Sequence, residues 1–400
     1  MRYIPRSIGA ELERARRSFP VLLLTGPRRA GKTTLLRHQF PKASYHLLED
    51  PDTVDRIRAD PRGFIADLRT PAILDEVQNV PEILRYVRTQ ADAAPRKLGQ
   101  WLLTGSQDAP LMRGVTESLA GRAAIFQLLP LSCAESAKVS VWRGGYPEVI
   151  ERPATAGLWF RSYVQTYLER DVRAIAAIRD LGTFRRFIAL LASRSGQLLN
   201  KTDLAAPLGV SIPTIGTWLN ILEVTGQILL VQPFFENFGK RLVKSPKMYF
   251  VDSGLACHLL GLDTSAELER SSFMGPLFEG FVASEIVKQQ LGAGQRREIY
   301  FFRDQQGLEI DFVVPLGDAQ LALVEAKASR TVRPQDADAL LRVQRAVRKY
   351  RAHAYIVHRD SRSNAPERLG VRPGVRTLTP NTVAELLQRP ARRRVSRVGS

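Results

Sequence analysis

The chain has 400 residues, 44% hydrophobic and 24% charged, a composition typical of soluble globular proteins, and this length predicts two or three domains. No apolar run approaches the roughly 18 residues that a membrane-spanning helix needs, and the first residues do not resemble a signal peptide, so we expect a cytoplasmic protein without membrane contacts. With Cys133 and Cys257 as its only cysteines, a disulfide framework or a cysteine-based zinc site is excluded.

The net charge of +18 and the isoelectric point near 10.3 favour polyanionic partners, of which nucleic acid is the commonest. Many of the arginines recur at helical spacing between apolar residues, as in residues 341–348. A solvated helix face explains such a cluster equally well. The charge therefore indicates non-specific DNA as a partner without identifying a surface.

An apolar run at residues 21–24 precedes a glycine-bounded loop, which is followed by residues typical of a helix. This order of buried strand, loop and helix is the setting of a phosphate-binding P-loop, or Walker A motif, although a chance glycine-rich turn is the alternative. Lys32 is expected to reach the β- and γ-phosphates of ATP, and Thr33 to bind Mg²⁺. The predicted nucleotide-binding residues are Gly26, Pro27, Arg28, Arg29, Ala30, Gly31, Lys32, Thr33 and Thr34.

A second apolar run, residues 71–74, ends in Asp75 and Glu76, as a Walker B strand does. Asp75 is expected to hold Mg²⁺ through the water shell of the ion, and Glu76 to orient or deprotonate the attacking water. An apolar strand that ends in two acids is common by itself. The preceding P-loop is what makes a catalytic pair the preferred interpretation.

Further predicted strands at residues 100–103 and 123–129 complete the N-terminal third. Ser106 follows the first of them and is a candidate sensor of the γ-phosphate, with an ordinary turn serine as the alternative. Arg122 precedes the second and is a candidate for sensing phosphate charge, with Arg113 as second choice. Strands that alternate with helices around these positions predict a doubly wound parallel sheet, with its ligand at the carboxyl ends of the strands.

Several phrases of the sequence resemble prokaryotic AAA-type ATPases whose C-terminal half is a conserved domain of uncharacterised role. The resemblance implies an ATP-binding core, a middle winged-helix region and a C-terminal nuclease-like fold, without a settled biological role. It covers nearly the whole chain. The phrases are Leu48-Glu49-Asp50-Pro51, Ile73 to Gln78, Leu103 to Asp108, Leu119-Ala120-Gly121-Arg122, Gly144-Gly145-Tyr146-Pro147 and Tyr163 to Val172.

The middle of the chain predicts three helices, at residues 183–194, 201–208 and 211–224, with Ser211 as N-cap of the third, followed by two strands. This is a winged-helix pattern. The third helix carries no Lys or Arg, which weakens sequence-specific DNA recognition. Non-specific DNA binding and a purely structural interaction domain are equally compatible with it. The predicted DNA contacts near the wing are Lys240, Arg241, Lys244 and Lys247.

The C-terminal third places Asp311 on an alternating strand, and Glu325-Ala326-Lys327 follows on the next strand. An acid followed by Glu-x-Lys is the arrangement of the restriction-endonuclease-like fold, and Glu279 on the preceding helix supplies a further acid. These residues form a second candidate Mg²⁺ site, at which Lys327 positions or activates water. The fold can also persist without cleavage, as a surface for nucleic acid or protein.

These elements predict an α/β multidomain chain in which nucleotide occupancy repositions the C-terminal half. One alternative is an ATP-gated, Mg²⁺-dependent DNase, and another is a slow-turnover nucleotide switch that recruits a protein partner. The chain could also assemble as a homo-oligomer, with an arginine acting in cis or in trans. The predicted segments are a P-loop ATPase core (1–130), a helical region (131–182), a winged helix (183–260), a nuclease-like domain (261–388) and a disordered basic tail (389–400).

Overall fold

The computed structural model describes residues 3–105, 115, 117–168, 180–234, 245–359 and 372–387. Two β-sheets organise them. The strands are β1 (Val21–Thr25), β2 (Ser44–Leu47), β3 (Ala72–Asp75), β4 (Trp101–Thr104), β5 (Ala123–Gln127), β6 (Ile228–Pro233), β7 (Lys247–Phe250), β8 (Tyr300–Arg303), β9 (Glu309–Gly317), β10 (Gln320–Lys327), β11 (Arg351–His358) and β12 (Val375–Leu378).

Helices cover both faces of each sheet. They are α1 (Gly9–Arg16), α2 (Lys32–Gln39), α3 (Pro51–Ala59), α4 (Pro61–Asp67), α5 (Ile83–Ala93), α6 (Pro147–Glu151), α7 (Ala156–Tyr163), α8 (Leu181–Ser193), α9 (Lys201–Ala205), α10 (Ile212–Val224), α11 (Ser253–Leu259), α12 (Ser265–Arg270), α13 (Met274–Gly292) and α14 (Asp338–Ala346). Short 3₁₀ segments include Val77–Asn79 and Pro380–Leu387.

The first sheet is parallel, with strand order β2-β3-β4-β1-β5. Strand β1 is apolar at every position from 21 to 24 because both of its faces are buried: Val21 and Leu23 pack in one core and Leu22 and Leu24 in the other. Each buried leucine contributes about 2 kcal/mol. Since parallel strands point the same way, the loops after β1, β3 and β4 meet at one edge. The predicted parallel sheet is confirmed.

The middle of the chain folds as α8, α9 and α10 followed by the antiparallel pair β6 and β7, in the predicted order. Trp218 of α10 anchors their shared core, with ring centroids 5.5 Å from Phe184 and 5.0 Å from Phe187. Ser211 caps α10 as predicted, since its side chain accepts a hydrogen bond of 3.2 Å from the Thr214 N–H. The winged-helix class itself stays a prediction.

The second sheet has seven strands in the order β12-β11-β10-β9-β8-β6-β7. It joins the hairpin β6–β7 to the C-terminal strands through a short parallel pairing, Gln232 with Tyr300 and Pro233 with Phe301. Helix α13 packs on one face and α14 on the other. The boundary predicted near residue 260 therefore divides segments that share one sheet, because β6 finds its second partner in β8. The predicted tail, residues 389–400, lies outside the described residues.

Among the described helices, none is by itself long and apolar enough to cross a membrane; Lys201–Leu208 and Ile212–Val224, bent by 111°, reach that length and composition only as a pair.

Candidate nucleotide-binding site

The loop after β1 curls through two positions that favour glycine. Gly26 has φ +138° and Gly31 has φ +97°, both in the region where a side chain is strained. At Gly26 a Cβ would also lie 2.1 Å from the carbonyl oxygen of Leu128. Helix α2 begins at Lys32, directly after Gly31, so the N–H groups of its first turn open onto the loop. This backbone can present several N–H donors and a helix dipole to an anion.

Lys32 is buried, with an exposed fraction of 5%. Its ammonium donates hydrogen bonds to the carbonyl oxygens of Gly26, at 3.0 Å, and Pro27, at 3.1 Å. These bonds hold the amine inside the curl of the loop. The charge is therefore positioned where phosphate oxygens would meet the loop N–H groups.

Asp75, at the end of β3, is buried and joins the two predicted nucleotide motifs. The hydroxyl of Thr33 lies 2.9 Å from each of its carboxylate oxygens. Tyr45 donates a hydrogen bond of 2.8 Å to the same carboxylate, and Thr104 donates another. Burial is the main cause that raises the pKa of the Tyr45 hydroxyl, and the Asp75 carboxylate is the second. The raised pKa keeps the hydroxyl protonated as a donor. The structure thus brings Thr33 and Asp75 together as predicted.

Glu76 follows Asp75 and adopts a left-handed backbone conformation, with φ 62°. This conformation is uncommon for a residue other than glycine and carries strain. Its N–H donates to the Thr104 hydroxyl at 3.1 Å, and its carboxylate accepts a hydrogen bond from the Gln78 amide. The strained turn directs Glu76 toward the cavity described below, which it lines.

Thr104, at the tip of β4, is a site residue that the sequence interpretation missed. Its hydroxyl donates to Asp75 and accepts from the N–H of Glu76, so one side chain fixes both acids. It is fully buried. The sequence signal for it is only that a small polar residue follows the apolar residues 101–103. Ser106, the predicted sensor, lies outside the described residues, as does Arg113.

A cavity of about 420 Å³ lies beside the P-loop. Six residues of the loop and α2 that were predicted to bind nucleotide line it together with Lys32: Arg28, Arg29, Ala30, Gly31, Thr33 and Thr34. Other parts of the chain close the cavity, including the N-terminal segment with Tyr3 and Arg6 and helix α6 with Glu148. Glu148 accepts a hydrogen bond of 3.2 Å from Arg29.

The donor set here suits Mg²⁺. A hydroxyl and a carboxylate are hard oxygen ligands, and Mg²⁺ in nucleotide sites is typically held by one or two such groups together with phosphate oxygens and water. Thr33 and Asp75 already lie at 2.9 Å from each other. These two residues would therefore hold the ion.

Arg122 does not share this cavity. It precedes β5, and its carbonyl accepts from the N–H of Val21 at the opposite end of β1 from the P-loop. Four residues of strand separate those ends, roughly 13 Å. Its guanidinium pairs instead with Asp92. The prediction that Arg122 senses the nucleotide of its own chain is wrong, because a residue before a parallel strand lies at the amino edge of the sheet. A role at a neighbouring subunit's nucleotide stays a prediction.

The sequence matches an AAA domain at residues 18–137, a domain of unknown function (DUF8612) at residues 134–266 and another (DUF4143) at residues 274–370. Over 318 residues it is 35% identical to the uncharacterized proteins Rv2008c of Mycobacterium tuberculosis and Mb2031c of Mycobacterium bovis. The aligned region covers 78% of this chain and 71% of each relative. The chain belongs to the same protein family as these two relatives. Its AAA domain and its P-loop make it a P-loop ATPase of the AAA type.

Two solved structures resemble this AAA-family chain at low similarity. The Walker-type ATPase PABY2304 of Pyrococcus abyssi has a TM-score of 0.42 and 16% identity, and the match covers 63% of this chain and 94% of that chain. The Holliday junction branch migration motor RuvB of Thermotoga maritima has a TM-score of 0.28 and 15% identity, with 56% and 88% covered. Similarity at this level supports no inference about function.

The second predicted site, formed by Glu279, Asp311, Glu325 and Lys327, lies in the region that matches DUF4143. Asp311 of β9 and Glu325 of β10 lie on adjacent strands, and the N–H of Ala326 donates to Asp311 at 2.8 Å. Lys327 pairs with Glu325 at 2.7 Å. The pKa of Asp311 is raised well above its usual value, mainly by burial and secondly by the charges of Glu279 and Glu325. The structure therefore brings the predicted acids into one cluster; their restriction-endonuclease-like assignment stays a prediction.

Lys247 lies in this cluster, and its predicted DNA contact is wrong. The side chain is 4% exposed, and its ammonium is 2.9 Å from Glu279, 2.6 Å from Glu309 and 3.9 Å from Asp311. Although burial alone lowers it, these carboxylates raise the pKa of Lys247 above its usual value. Such a side chain cannot reach a phosphate outside. The other predicted contacts, Lys240, Arg241 and Lys244, lie outside the described residues.

The predicted second Mg²⁺ site is not formed. In the part of the chain that the structure describes, no three Asp, Glu, His or Cys side chains are arranged to hold a metal ion. The physical reason is that an ammonium, from Lys247, already lies among Glu279, Glu309 and Asp311. Glu309 was missed, although its position two residues before Asp311 puts both acids on one face of β9.

Proposed function

We propose that the chain binds ATP with Mg²⁺ in the cavity beside the P-loop and hydrolyses it, and that the bound nucleotide controls the C-terminal half. The contact between Thr33 and Asp75, 2.9 Å to each carboxylate oxygen, carries this proposal. It joins a P-loop hydroxyl to a Walker B acid, which is the pairing that a metal-bound triphosphate requires.

In this proposal the loop N–H groups and Lys32 bind the β- and γ-phosphates. The ammonium exchanges its bonds to the Gly26 and Pro27 carbonyls for bonds to phosphate oxygens. When bound, Mg²⁺ supplies neutralisation of the phosphate charge at Thr33 and Asp75.

Glu76 is the proposed general base. Its carboxylate would accept the proton of the attacking water, and the left-handed backbone at Glu76 holds it at the cavity. Thr104 fixes the peptide N–H of Glu76 and the carboxylate of Asp75 together, so the base and the metal ligand keep a constant separation. Gln78 orients the Glu76 carboxylate.

The adenine ring of ATP is proposed to contact the part of the cavity that lies away from the P-loop. Ile4, Leu131 and Pro147 supply apolar surface there, and Tyr3 supplies an aromatic ring. Such surfaces are typical of sites that hold a planar ligand. Because these residues come from outside the first sheet, an occupied cavity would contact both the ATPase core and the segments after it.

Arg6 is the clearest link between the P-loop and the rest of the chain. Its guanidinium donates to the carbonyl of Ala30 in the loop at 2.8 Å, and it pairs with Glu135 at 3.1 Å. Glu135 also accepts from the N–H of Ser132 at 3.0 Å. Through these contacts, a rearrangement of the loop on nucleotide binding would also shift residues 132–135.

The neighbouring residues continue this path to helix α13. Lys288 donates to the carbonyl of Leu131 at 3.0 Å and pairs with Glu285 at 3.0 Å, and both side chains are buried. Glu285 in turn accepts from the N–H of Cys133 at 2.8 Å.

We expect a non-hydrolysable ATP analogue to change amide hydrogen exchange in α13 of the wild type but not of Lys32→Ala. Unchanged exchange in both proteins would contradict nucleotide control.

Replacing Arg6 by methionine is expected to destabilise the protein by about 3–5 kcal/mol, because it leaves the buried Glu135 carboxylate without its counter-ion. Denaturant unfolding measures the loss. Arg14→Met is the matched control, since Arg14 is an exposed arginine of α1 with a 73% exposed side chain. Equal midpoints for the two variants would show that the Arg6 pair does not fasten the N-terminal segment.

Non-specific DNA is the proposed partner, supported by the net charge of +18. We expect duplex or single-stranded DNA to change ATP turnover at about 50 mM salt, and the effect to weaken strongly at about 200 mM, because phosphate contacts release counterions. Turnover and DNA binding by the full chain are measured together at both salt concentrations. If DNA neither binds nor changes turnover at the lower salt, this partner is rejected, while turnover without DNA still tests the ATPase.

The two alternative functions differ in their support. A slow-turnover switch that recruits a protein predicts tight ATP binding with negligible hydrolysis, even with DNA present. An ATP-gated, Mg²⁺-dependent DNase needs a second metal site, and the ammonium of Lys247 among Glu279, Glu309 and Asp311 does not favour it.

A further inference from the structure

The acid cluster, which we define as Glu279, Glu309, Asp311 and Glu325, draws its carboxylates from α13, β9 and β10. Carboxylates are the kind of ligand that divalent cations prefer, so the acids taken without their neighbours would suggest a metal site. The acid cluster differs from a metal site in one respect. A fifth side chain, Lys247 of β7, enters it from the hairpin that precedes these elements.

The ammonium of Lys247 lies where the carboxylates converge. Its nitrogen is 2.9 Å from Glu279, 2.6 Å from Glu309 and 3.9 Å from Asp311. An ammonium has three N–H donors and no acceptor, so it can satisfy several carboxylates at once. With 4% of its side chain exposed, it is shielded from solvent. Lys247 therefore supplies the positive charge that a cluster of partly buried acids requires.

Other internal donors satisfy several of the carboxylate oxygens that a metal would need, although Glu325 Oε2 is buried without a hydrogen-bond partner. Tyr249, beside Lys247 on the same hairpin, donates to Glu279. The N–H of Ala326 donates to Asp311, and Lys327 donates to Glu325. A divalent ion at this point would have to displace these donors and would lie within a few ångströms of the Lys247 charge. The residues present do not fit a metal.

We propose that Lys247 is a built-in cation that takes the place of a divalent metal in the acid cluster, so that this region acts as an ion-pair lock rather than a metal-dependent nuclease centre. The lock fastens β7 to α13 and β9. It reinforces a weak junction, because β6 pairs with β8 over only two residue pairs, Gln232 with Tyr300 and Pro233 with Phe301. The segment matching DUF8612 is thereby tied to the segment matching DUF4143.

Binding of Mn²⁺ to the nucleotide-free full chain, followed by electron paramagnetic resonance, tests this proposal. Asp75→Asn is introduced into every protein so that the ATP site does not contribute. In that background we expect no Mn²⁺ binding that depends on Asp311, whereas Lys247→Met should gain about one equivalent. Adding Asp311→Asn to Lys247→Met should remove the gain. Lys201→Met, at an exposed lysine, is the matched control and should gain nothing.

Thermal unfolding supplies the second readout. Lys247→Met should unfold at lower temperature than Lys201→Met, because acids that face one another have lost their counter-ion, and Mn²⁺ should restore part of the loss. Asp311-dependent binding of Mn²⁺ with Lys247 intact would overturn the proposal, and so would a Lys247→Met protein that neither gains a site nor loses stability. If Lys247→Met does not fold, Mn²⁺ binding is compared between the protein that keeps both Lys247 and Asp311 and the protein that keeps Lys247 but carries Asp311→Asn. Equal binding by these two proteins supports the proposal, and weaker binding by Asp311→Asn overturns it.

Discussion

Lys32→Ala is expected to weaken ATP binding by more than about 100-fold. The wild-type ammonium is buried in the P-loop and would bond to two phosphate groups, and each charge-assisted bond is worth about 1.5–3 kcal/mol. Alanine removes both bonds and the positive charge together. Equilibrium titration with a fluorescent ATP analogue in the presence of Mg²⁺ measures the change.

Lys42→Ala is the matched control for this experiment, since Lys42 is an exposed lysine that follows α2 in the same sheet layer. Its affinity for ATP should equal that of the wild type. Thermal unfolding of both variants without nucleotide separates lost binding from lost folding. A folded Lys32→Ala protein with wild-type affinity would mean that the triphosphate binds elsewhere.

Glu76→Gln should retain ATP binding and lose turnover by about 10²- to 10⁴-fold, the usual contribution of a general base. Glutamine keeps the size of the side chain and can still contact Gln78, but it cannot accept the proton of the attacking water. Steady-state hydrolysis gives kcat, and the titration used for Lys32 gives affinity. We expect kcat to fall while the affinity for ATP stays unchanged.

Glu82→Gln removes the same charge from an exposed position at the start of α5 and should leave kcat unchanged. The assignment of Glu76 as general base fails if Glu76→Gln hydrolyses ATP at the rate of this control. A parallel fall of affinity and kcat would instead point to a binding role.

The P-loop and Asp75 could be predicted from the sequence because each motif is contiguous and follows a strand that is buried on both faces. Thr104 could not be chosen over Ser106 in the same way. Both are small polar residues at one strand end, and the residue that faces Asp75 depends on where β4 ends and on its register with β3. Arg122 precedes its predicted strand, and in a parallel sheet with the ligand at the carboxyl ends this position already indicates the amino edge, so its misplacement was not forced by the sequence.

Lys247 shows a second limit of local patterns. In the sequence it ends a run of basic residues, which is typical of a solvated surface. Its partner Glu279 lies 32 residues away along the chain, and the two meet only because the hairpin joins the second sheet beside α13. Burial of a charged side chain is set by such tertiary contacts. The parallel sheet of the first segment and the order of helices and strands in the middle segment could thus be outlined from the sequence, whereas the junctions between segments could not.

A crystal structure of the full chain with a non-hydrolysable ATP analogue and Mn²⁺ tests the central claim most directly, because anomalous scattering locates the metal. Our account predicts a metal peak bound by the Thr33 hydroxyl and the Asp75 carboxylate, with the β- and γ-phosphates on the amine of Lys32. A nucleotide bound away from the P-loop, or a metal that contacts neither Thr33 nor Asp75, would contradict it.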